Sequence, residues 1–373
     1  MRKSLIFNLV LCLIIGSSFT NKKIKPETVK VQMQQVANWQ IVHFKDLYSG
    51  REKAHHPRDW TNAAFYVGLS AYAKMADTDT YFRWLKDVAE QQKYTLHWRK
   101  YMADDLAVGQ MYFSLYDKYG DKEMIAPTQK RFDWIMANPS KEPITLDNYK
   151  HMQRWTWCDA LFMAPPVLAE LARVTQNETY TKFMMSEYEA TKAHLFDTEE
   201  HLFYRDNSFI GKEKNGKKIF WSRGNGWVFA GLCLIMDQYE EGSKAHQYFK
   251  KLYLEMAPKV AQLQMKNGLW AMSLLDSKNY PQKETSGSGF FTYGLAWGIN
   301  HGYLDKATYE PVVKKAWLGL GKCINKDGML SFVQPIGAAP GESSADQTEV
   351  YGSGAFLLAG SEVFKLYNDK SSL

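Results

Sequence analysis

The sequence has few of the features that mark metal sites, disulfide frameworks and nucleic-acid-binding proteins. Its 4 cysteines lie far apart, with no CxxC pair and no Cys/His cluster. This spacing argues against a zinc site and a disulfide framework, and it favours buried thiols. The net charge of +6 comes without a lysine or arginine run, so no nucleic acid partner is expected. The charge fits an acidic sugar at least as well.

Signals for cofactors and for β-sheets are also scarce. Two Gly-Ser-Gly strings, at 287–289 and 352–354, lack the lysine and the strand context of phosphate-binding loops. His55 and His56 lack the spacing of metal ligands, and we expect them in a loop near a cleft. The sequence therefore predicts neither a metal nor a cofactor. Few β-branched runs alternate strictly with polar residues, which argues against a sheet protein.

The N-terminus has the three parts of a secretory signal peptide. A basic start at 1–3 precedes an apolar run from Leu5 to Ile15, which small residues at 16–18 follow. The run is too short to span a bilayer. We therefore expect residues 1–20 to be removed and residues 21–373 to form one domain in the periplasm or outside the cell, without membrane contact.

A hidden repeat indicates the fold. Six turn-like openings each precede a stretch of small and apolar residues at helical spacing, and half-polar stretches such as 79–92 and 178–195 lie between them. The openings lie at 56–60, 102–105, 155–159, 221–227, 285–289 and 351–354. An inner ring of buried helices inside an outer ring of half-exposed helices requires this alternation. The sequence predicts an all-α, single-domain (α/α)₆ barrel whose openings meet at one end.

Acidic residues in these openings are candidates for catalysis. Asp59, the pair Asp104 and Asp105, and Asp159 each stand before an apolar helical stretch. Any one of them could instead cap its helix. Asp159 lies among tryptophans, where desolvation would raise the carboxyl pKa into the range useful for proton donation. Two carboxyls at one barrel mouth are the usual equipment of a glycosidase.

Aromatic and cationic residues in the same openings favour an acidic sugar. Aromatics make up 14% of the chain, more than a core usually needs. Arg223 stands between Trp221 and Trp227, and an arginine can pair bidentately with a carboxylate while rings stack on a pyranose. A helix start with core tryptophans is the structural alternative. Arg205 adds a second cation or simply pairs with Asp206 on the surface.

The strings at 221–227 and 154–166 resemble glycoside hydrolase family 105 and the related family 88, the unsaturated rhamnogalacturonyl and glucuronyl hydrolases. The resemblance covers about residues 39–367. It implies an (α/α)₆ barrel that removes a terminal 4,5-unsaturated uronic acid from an anionic oligosaccharide. It makes Asp159 the general acid/base and places a second acid on Asp104 more readily than on Asp105.

The resemblance also implies that Trp221, Arg223 and Trp227 bind the unsaturated sugar. Trp60, Trp155 and Arg205 complete the predicted set of substrate-binding residues. Arg205 departs from the family, whose members commonly have a histidine there. An extra cation suits a sulfated or otherwise more acidic oligosaccharide, such as an ulvan fragment.

Two other functions stay open on the sequence alone. One is an inverting glycosidase for saturated oligosaccharides, with Asp104 and Asp159 as acid and base. The other is a non-catalytic protein that binds sugar in the aromatic cleft. The sequence also leaves open the sugar next to the uronic acid, the tolerance of sulfate, the choice between Asp104 and Asp105, and the oligomeric state.

Overall fold

The structure is a computed structural model and describes residues 23–48, 52–146 and 152–368. Helices make up its architecture, together with two short two-stranded hairpins. The predicted signal peptide, residues 1–20, lies outside the described residues. In the three described ranges, no helix is both long and apolar enough to cross a membrane.

An outer layer consists of half-exposed helices, each of which buries the side chains along one face only. In the helix at 178–195, five of 18 residues are buried. The outer helices of the described chain are α1 (Pro26–Val42), α3 (Thr80–Gln91), α6 (Ala126–Ala137), α9 (Glu178–Leu195), α11 (Lys244–Gln262) and α13 (Lys306–Gly321). The half-polar stretches predicted at 79–92 and 178–195 are therefore helices α3 and α9, as expected.

An inner layer consists of helices that are buried on nearly every side. In the helices at 222–236 and 286–300, 14 of 15 residues are buried. The inner helices of the described chain are α2 (Trp60–Ala73), α4 (Ala103–Leu106) with α5 (Gly109–Tyr119), α7 (Ala160–Met163) with α8 (Pro165–Thr175), α10 (Ser222–Met236), α12 (Ser286–Asn300) and α14 (Val350–Asn368).

The inner helices close into a ring. α2 packs on α14, α14 on α12, and α12 on α10; α10 packs on α7 and α8, α8 on α5, and α5 again on α2. Outer and inner helices alternate along the chain, from the outer helix α1 to the inner helix α14. The predicted (α/α)₆ barrel is confirmed.

One continuous apolar core fills the wall between the two rings. Cys158, Cys233 and Cys323 lie in this core as free thiols. Their burial confirms the sequence prediction, and it raises the pKa of all three thiols because a thiolate would lose its hydration there.

Two of the inner helices are interrupted just after they begin. Pro165 and Pro166 open α8, and because proline has no backbone N–H, the hydrogen-bond ladder of α7 cannot continue through them. α4 ends before Ala107, and α5 begins at Gly109. The short helices α4 and α7 pack on each other at the mouth of the barrel. Asp104 lies in α4, and Asp159 directly precedes α7.

The segment between α9 and α10 folds back over this mouth. It contains two antiparallel pairs, β1 (Phe196–Asp197) with β2 (Leu202–Phe203), and β3 (Glu213–Lys214) with β4 (Lys217–Lys218). Trp157 forms a β-bridge with Asp206, and the backbone N–H of Cys158 donates to the Arg205 carbonyl oxygen at 2.8 Å. These bonds place Arg205 beside the start of α7.

Glycines let α2 and α14 approach until their backbones touch. A Cβ on Gly68 would lie 2.1 Å from the carbonyl oxygen of Gly354, and a Cβ on Gly354 would lie 2.2 Å from the carbonyl oxygen of Ala64. Backbone atoms of two buried helices cannot move aside as a flexible side chain can. The ring can close at this crossing because both residues lack a side chain.

We expect Gly354→Ala to destabilise the barrel by about 1–3 kcal/mol or more, because the new methyl group overlaps backbone atoms of α2. The thermal unfolding midpoint measures the effect. Gly337→Ala is the matched control, since the nearest atom to its added Cβ is 3.7 Å away. Equal midpoints for the two variants would contradict the close crossing.

Candidate active site

Aromatic rings from the starts of five inner helices meet at one end of the barrel. Trp60 at the start of α2 stacks on Tyr351 of α14 at 5.3 Å and meets Trp227 of α10 edge-on at 6.0 Å. Trp227 also packs on Phe162 and Phe290. The openings therefore share one mouth with an aromatic floor, as the repeat predicts.

Asp104 and Asp159 lie on the two interrupted helices at this mouth. Asp104 is in the first turn of α4, Asp159 directly precedes α7, and the two helices are in contact. Burial raises the pKa of both carboxyls. The negative charge of Asp159 adds to the effect on Asp104 and raises its pKa to about 7. The two carboxyls therefore interact, and one of them can hold a proton at neutral pH.

Asp105 has a different environment from its neighbour. Its carboxylate accepts from the Arg99 backbone N–H at 2.8 Å and from Arg99 Nε at 3.1 Å, and Asp105 is 1% exposed. This ion pair fixes the loop before α4. In the described chain, the Asp104 carboxylate accepts no hydrogen bond from a protein group, so it is the acid of this pair that is available to a substrate.

The helix-capping alternative is wrong for Asp59 and Asp159. Both residues occupy N-cap positions, yet neither side chain accepts a hydrogen bond from its helix. Asp59 accepts from the His56 backbone N–H at 2.8 Å and lies 3.2 Å from His97 Nε2. Asp59 thus organises the loop at the mouth, where His56 stacks on His97.

Two polar groups lie close to one carboxylate oxygen of Asp159. Cys158 Sγ donates to Asp159 Oδ2 at 3.4 Å, and Arg205 Nε lies 3.7 Å from the same oxygen. Burial raises the pKa of Asp159, while the charge of Arg205, the thiol hydrogen bond and the charge of Arg223 each oppose the rise. Because burial and the charge of Asp159 keep Cys158 protonated, its thiol remains a donor.

Arg205 pairs with Asp206 as the sequence analysis allows, but the pair does not lie on the surface. Its Nη1 donates to Asp206 Oδ2 at 2.8 Å, so the predicted pairing with Asp206 is present. The pair is buried, however, with Arg205 9% exposed and Asp206 0% exposed. The β-bridge between Trp157 and Asp206 holds the segment that contains Arg205 at the mouth. The ion pair of Arg205 and Asp206 is therefore buried there and does not lie on the surface.

Arg223 is enclosed at the floor of the mouth. Its Nη1 and Nη2 donate to the carbonyl oxygens of Gln334 and Pro335 at 2.7 and 2.9 Å. Its guanidinium lies 4.4 Å from the Trp221 ring and 4.7 Å from the Tyr351 ring. The second stacking ring is therefore Tyr351, not Trp227, because Trp227 packs into the aromatic floor. Arg223 still faces Asp159 closely enough for its charge to lower the carboxyl pKa.

The predicted binding residues differ in their access to a ligand. Trp60 is half-buried, whereas Trp155, Trp221 and Trp227 are at most 4% exposed. Arg223 is fully buried. The structure brings all of these residues to the mouth or to the wall that supports it. Their roles in binding sugar remain predictions.

Two buried carboxylates complete the mouth and do not appear in the sequence prediction. Glu284 accepts from the backbone N–H groups of Ser286 and Gly287 at 2.9 and 2.8 Å, and so caps α12. Glu349 pairs with His55 Nε2 at 2.9 Å. Each acid stands three residues before the first glycine of a Gly-Ser-Gly string, and this repeated position is the signal that could have identified them.

Comparison with known proteins gives the family. The model of Glycosyl Hydrolase Family 88 matches residues 32–367. A Formosa agariphila protein named an unsaturated 3S-rhamnoglycuronyl hydrolase is 39% identical over 374 aligned residues, which cover 96% of this chain and 97% of that protein.

Solved structures agree with the fold. A protein named a polysaccharide lyase has a TM-score of 0.82 and 31% identity, with 92% of this chain and 98% of that chain covered. A glycosyl hydrolase family 88 protein from Bacteroides vulgatus has a TM-score of 0.80 and 28% identity, with 92% of this chain and 100% of that chain covered.

The prediction of a glycosidase is confirmed by the family match, which spans most of the sequence. With a ring of paired helices, two carboxyls at its mouth and this match, the chain belongs to Glycosyl Hydrolase Family 88.

Proposed function

We propose that this enzyme removes a terminal 4,5-unsaturated uronic acid from oligosaccharides that a polysaccharide lyase has released, and that rhamnose is the next sugar. The Formosa agariphila relative is named for a 3S-rhamnoglycuronyl substrate, which supports the second part. The observation that carries the first part is the buried carboxyl of Asp159, which faces Asp104 and two arginines at the barrel mouth.

The reaction begins at the enol ether of the sugar ring. Protonated Asp159 donates its proton to C4, and the positive charge forms at C5 next to the ring oxygen. Water attacks C5 while the Asp159 carboxylate takes its proton. The resulting hemiketal opens to a ketone at C5, which leaves C1 as a hemiacetal that releases the oligosaccharide. The glycosidic bond is lost without direct attack at C1.

The surrounding groups prepare Asp159 for this double role. Burial and the neighbouring carboxyl keep one proton in the pair at neutral pH, as a general acid requires. Arg205 and Cys158 then stabilise the carboxylate that remains after proton transfer. Arg223 supplies a fixed positive charge that attracts the uronate carboxylate, and Trp60 offers a ring face at the floor.

A second reading comes from the solved structure that is named a polysaccharide lyase. A lyase creates the C4=C5 double bond, whereas the proposed hydrolase consumes it. The ultraviolet absorbance of this conjugated bond therefore rises with a lyase and falls with the hydrolase. Turnover of saturated oligosaccharides would instead indicate an ordinary inverting glycosidase, and binding without turnover would indicate a sugar-binding protein.

We further propose export to the periplasm or the medium, because residues 1–20 have the pattern of a signal peptide and the substrate derives from an external polysaccharide. N-terminal sequencing of the protein from the producing cell should then begin near residue 21. A chain that starts at Met1 would contradict the proposal.

Asp159→Asn should lower kcat by about 10²–10⁴, the usual contribution of a general acid/base. The loss of ultraviolet absorbance in a lyase digest of ulvan or pectin measures kcat, and near-ultraviolet circular dichroism checks the fold. Asp237→Asn is the matched control, since Asp237 is another carboxyl with its pKa raised to about 6, and it lies at the end of α10, away from the mouth. A fully active Asp159→Asn enzyme would remove Asp159 from the mechanism.

Asp104→Asn should change the pH dependence of stability. Folded Asp104 has its pKa raised to about 7 from 3.8, so between these values the folded state binds a proton that the unfolded state has lost. Wild-type stability therefore falls as pH rises from about 4 to about 7. The thermal midpoint of the variant, relative to wild type, should increase across this window and then level off. A pH-independent difference would rule out the raised pKa.

Arg205→His tests whether the additional cation selects a sulfated substrate. We expect the ratio of kcat/KM for sulfated over desulfated substrate to fall roughly tenfold, the worth of one charge-assisted hydrogen bond. The effect of Arg205 on Asp159 cancels in this ratio, because both substrates use the same acid. An unchanged ratio would end the sulfate hypothesis.

A further inference from the structure

The loop between α3 and α4, residues 95–102, is fixed on both sides of Trp98. The backbone N–H of His97 donates to the Asp105 carbonyl oxygen at 3.0 Å, and that of Arg99 donates to Asp105 Oδ2 at 2.8 Å. Arg131 donates to the carbonyl oxygens of His97 and Arg99 at 3.1 and 3.2 Å. These bonds hold the backbone around residue 98 in one place.

Trp98 is exposed on this rigid loop. Its exposed fraction of 72% is the largest for any tryptophan in the described ranges. The guanidinium of Arg99 lies 5.4 Å from its ring. A ring on a preorganised loop loses little conformational entropy on binding, and a pyranose face stacks well on indole.

The loop lies at the rim of the catalytic mouth. Arg99 pairs with Asp105, the residue directly after Asp104, and its charge lowers the pKa of Asp104. Trp98 therefore stands on the same side of the mouth as the second acid. A sugar chain that leaves the mouth on this side passes over the loop.

A groove of about 600 Å³ adjoins the same loop on the outer side of the barrel. Its apolar lining includes Leu96 and Trp134, and the ammonium of Lys100 lies 4.0 Å above the Trp134 ring. Lys100, Lys130 and Arg131 line it against one acid, Glu123. An aromatic wall with an excess of two positive charges fits an anionic sugar.

We propose that the oligosaccharide released in the reaction crosses the rim on Trp98 and places an acidic sugar in this groove, with its sulfate or carboxylate near Lys100 and Lys130. The proposal rests on the proposed function, since it concerns the leaving part of the same substrate. In this proposal, the groove recognises the length and the charge of the oligosaccharide, and this recognition is separate from the chemistry at Asp159.

Kinetics on an unsaturated disaccharide and an unsaturated tetrasaccharide from one lyase digest test this proposal. For the tetrasaccharide, Trp98→Ala should raise KM about fivefold or more, and Lys100→Ala about two- to fivefold, with little change in kcat. For the disaccharide, which is too short to reach the groove, both variants should behave as wild type. Trp98→Phe, which keeps a ring, should recover part of the loss.

Lys250→Ala is the matched control, because the ammonium of Lys250 lies 4.2 Å above the Tyr303 ring on another side of the barrel. It should leave both KM values unchanged. A desulfated tetrasaccharide identifies the anion: the effect of Lys100→Ala disappears if the groove holds sulfate and persists if it holds a uronate carboxylate. With either anion, the increase in KM caused by Lys100→Ala should become smaller at high salt, where charges are screened.

Wild-type KM values for the tetrasaccharide in Trp98→Ala and Lys100→Ala would overturn the proposal, as would equal losses on the disaccharide. A wild-type enzyme that is inactive on both substrates speaks instead against the proposed function. In that case, calorimetric binding of the tetrasaccharide to wild type and to Lys100→Ala still tests the groove, and equal affinities would refute it.

Discussion

Two carboxyls in a poorly hydrated barrel mouth are the constraint around which the rest of the site is organised. Asp104 and Asp159 repel each other when both are ionised, and burial adds to that cost. The pair therefore keeps a proton at a pH where isolated aspartates have lost theirs. Arg205 and Cys158 both contact the Oδ2 atom of Asp159. Asp104 has no such contact within the described residues, and the more distant charges of Arg99 and Arg205 stabilise its carboxylate instead.

The interrupted helices explain how the fold holds such a pair. A continuous inner helix would direct its first side chains along the ring, whereas the short helices α4 and α7 can pack on each other at the mouth. Pro165 enforces one interruption. At the other, Gly109 lets α5 approach α8 so closely that a Cβ there would lie 2.8 Å from Val167 Cγ1. Local sequence thus shapes the site through the breaks in its helices.

Much of this architecture could be predicted from the sequence, because helical periodicity is a local property. The stretch predicted at 178–195 is a helix over those same residues, and the six openings meet as expected. Asp159 was identifiable because Trp155 and Trp157 stand close to it in the sequence. The partners of Arg223 were not, since the Gln334 carbonyl lies 111 residues away and no pattern connects the two positions. Nor could periodicity show that Asp59 and Asp159 leave their helices uncapped.

The enclosure of Arg223 gives its charge a particular use. Main-chain carbonyls hold both terminal nitrogens, and two rings cover the guanidinium faces, so this cation cannot follow a moving ligand. A fixed charge in a site of low polarity acts strongly at a distance and needs no reorganisation when a ligand arrives. In the proposed reaction, this charge would favour a uronate over a neutral sugar before any direct contact forms. The same field opposes the rise in the Asp159 pKa. In the proposed reaction, an entering uronate would offset that field with its own negative charge, which would raise the pKa of Asp159 and favour the protonated acid when the substrate is in place.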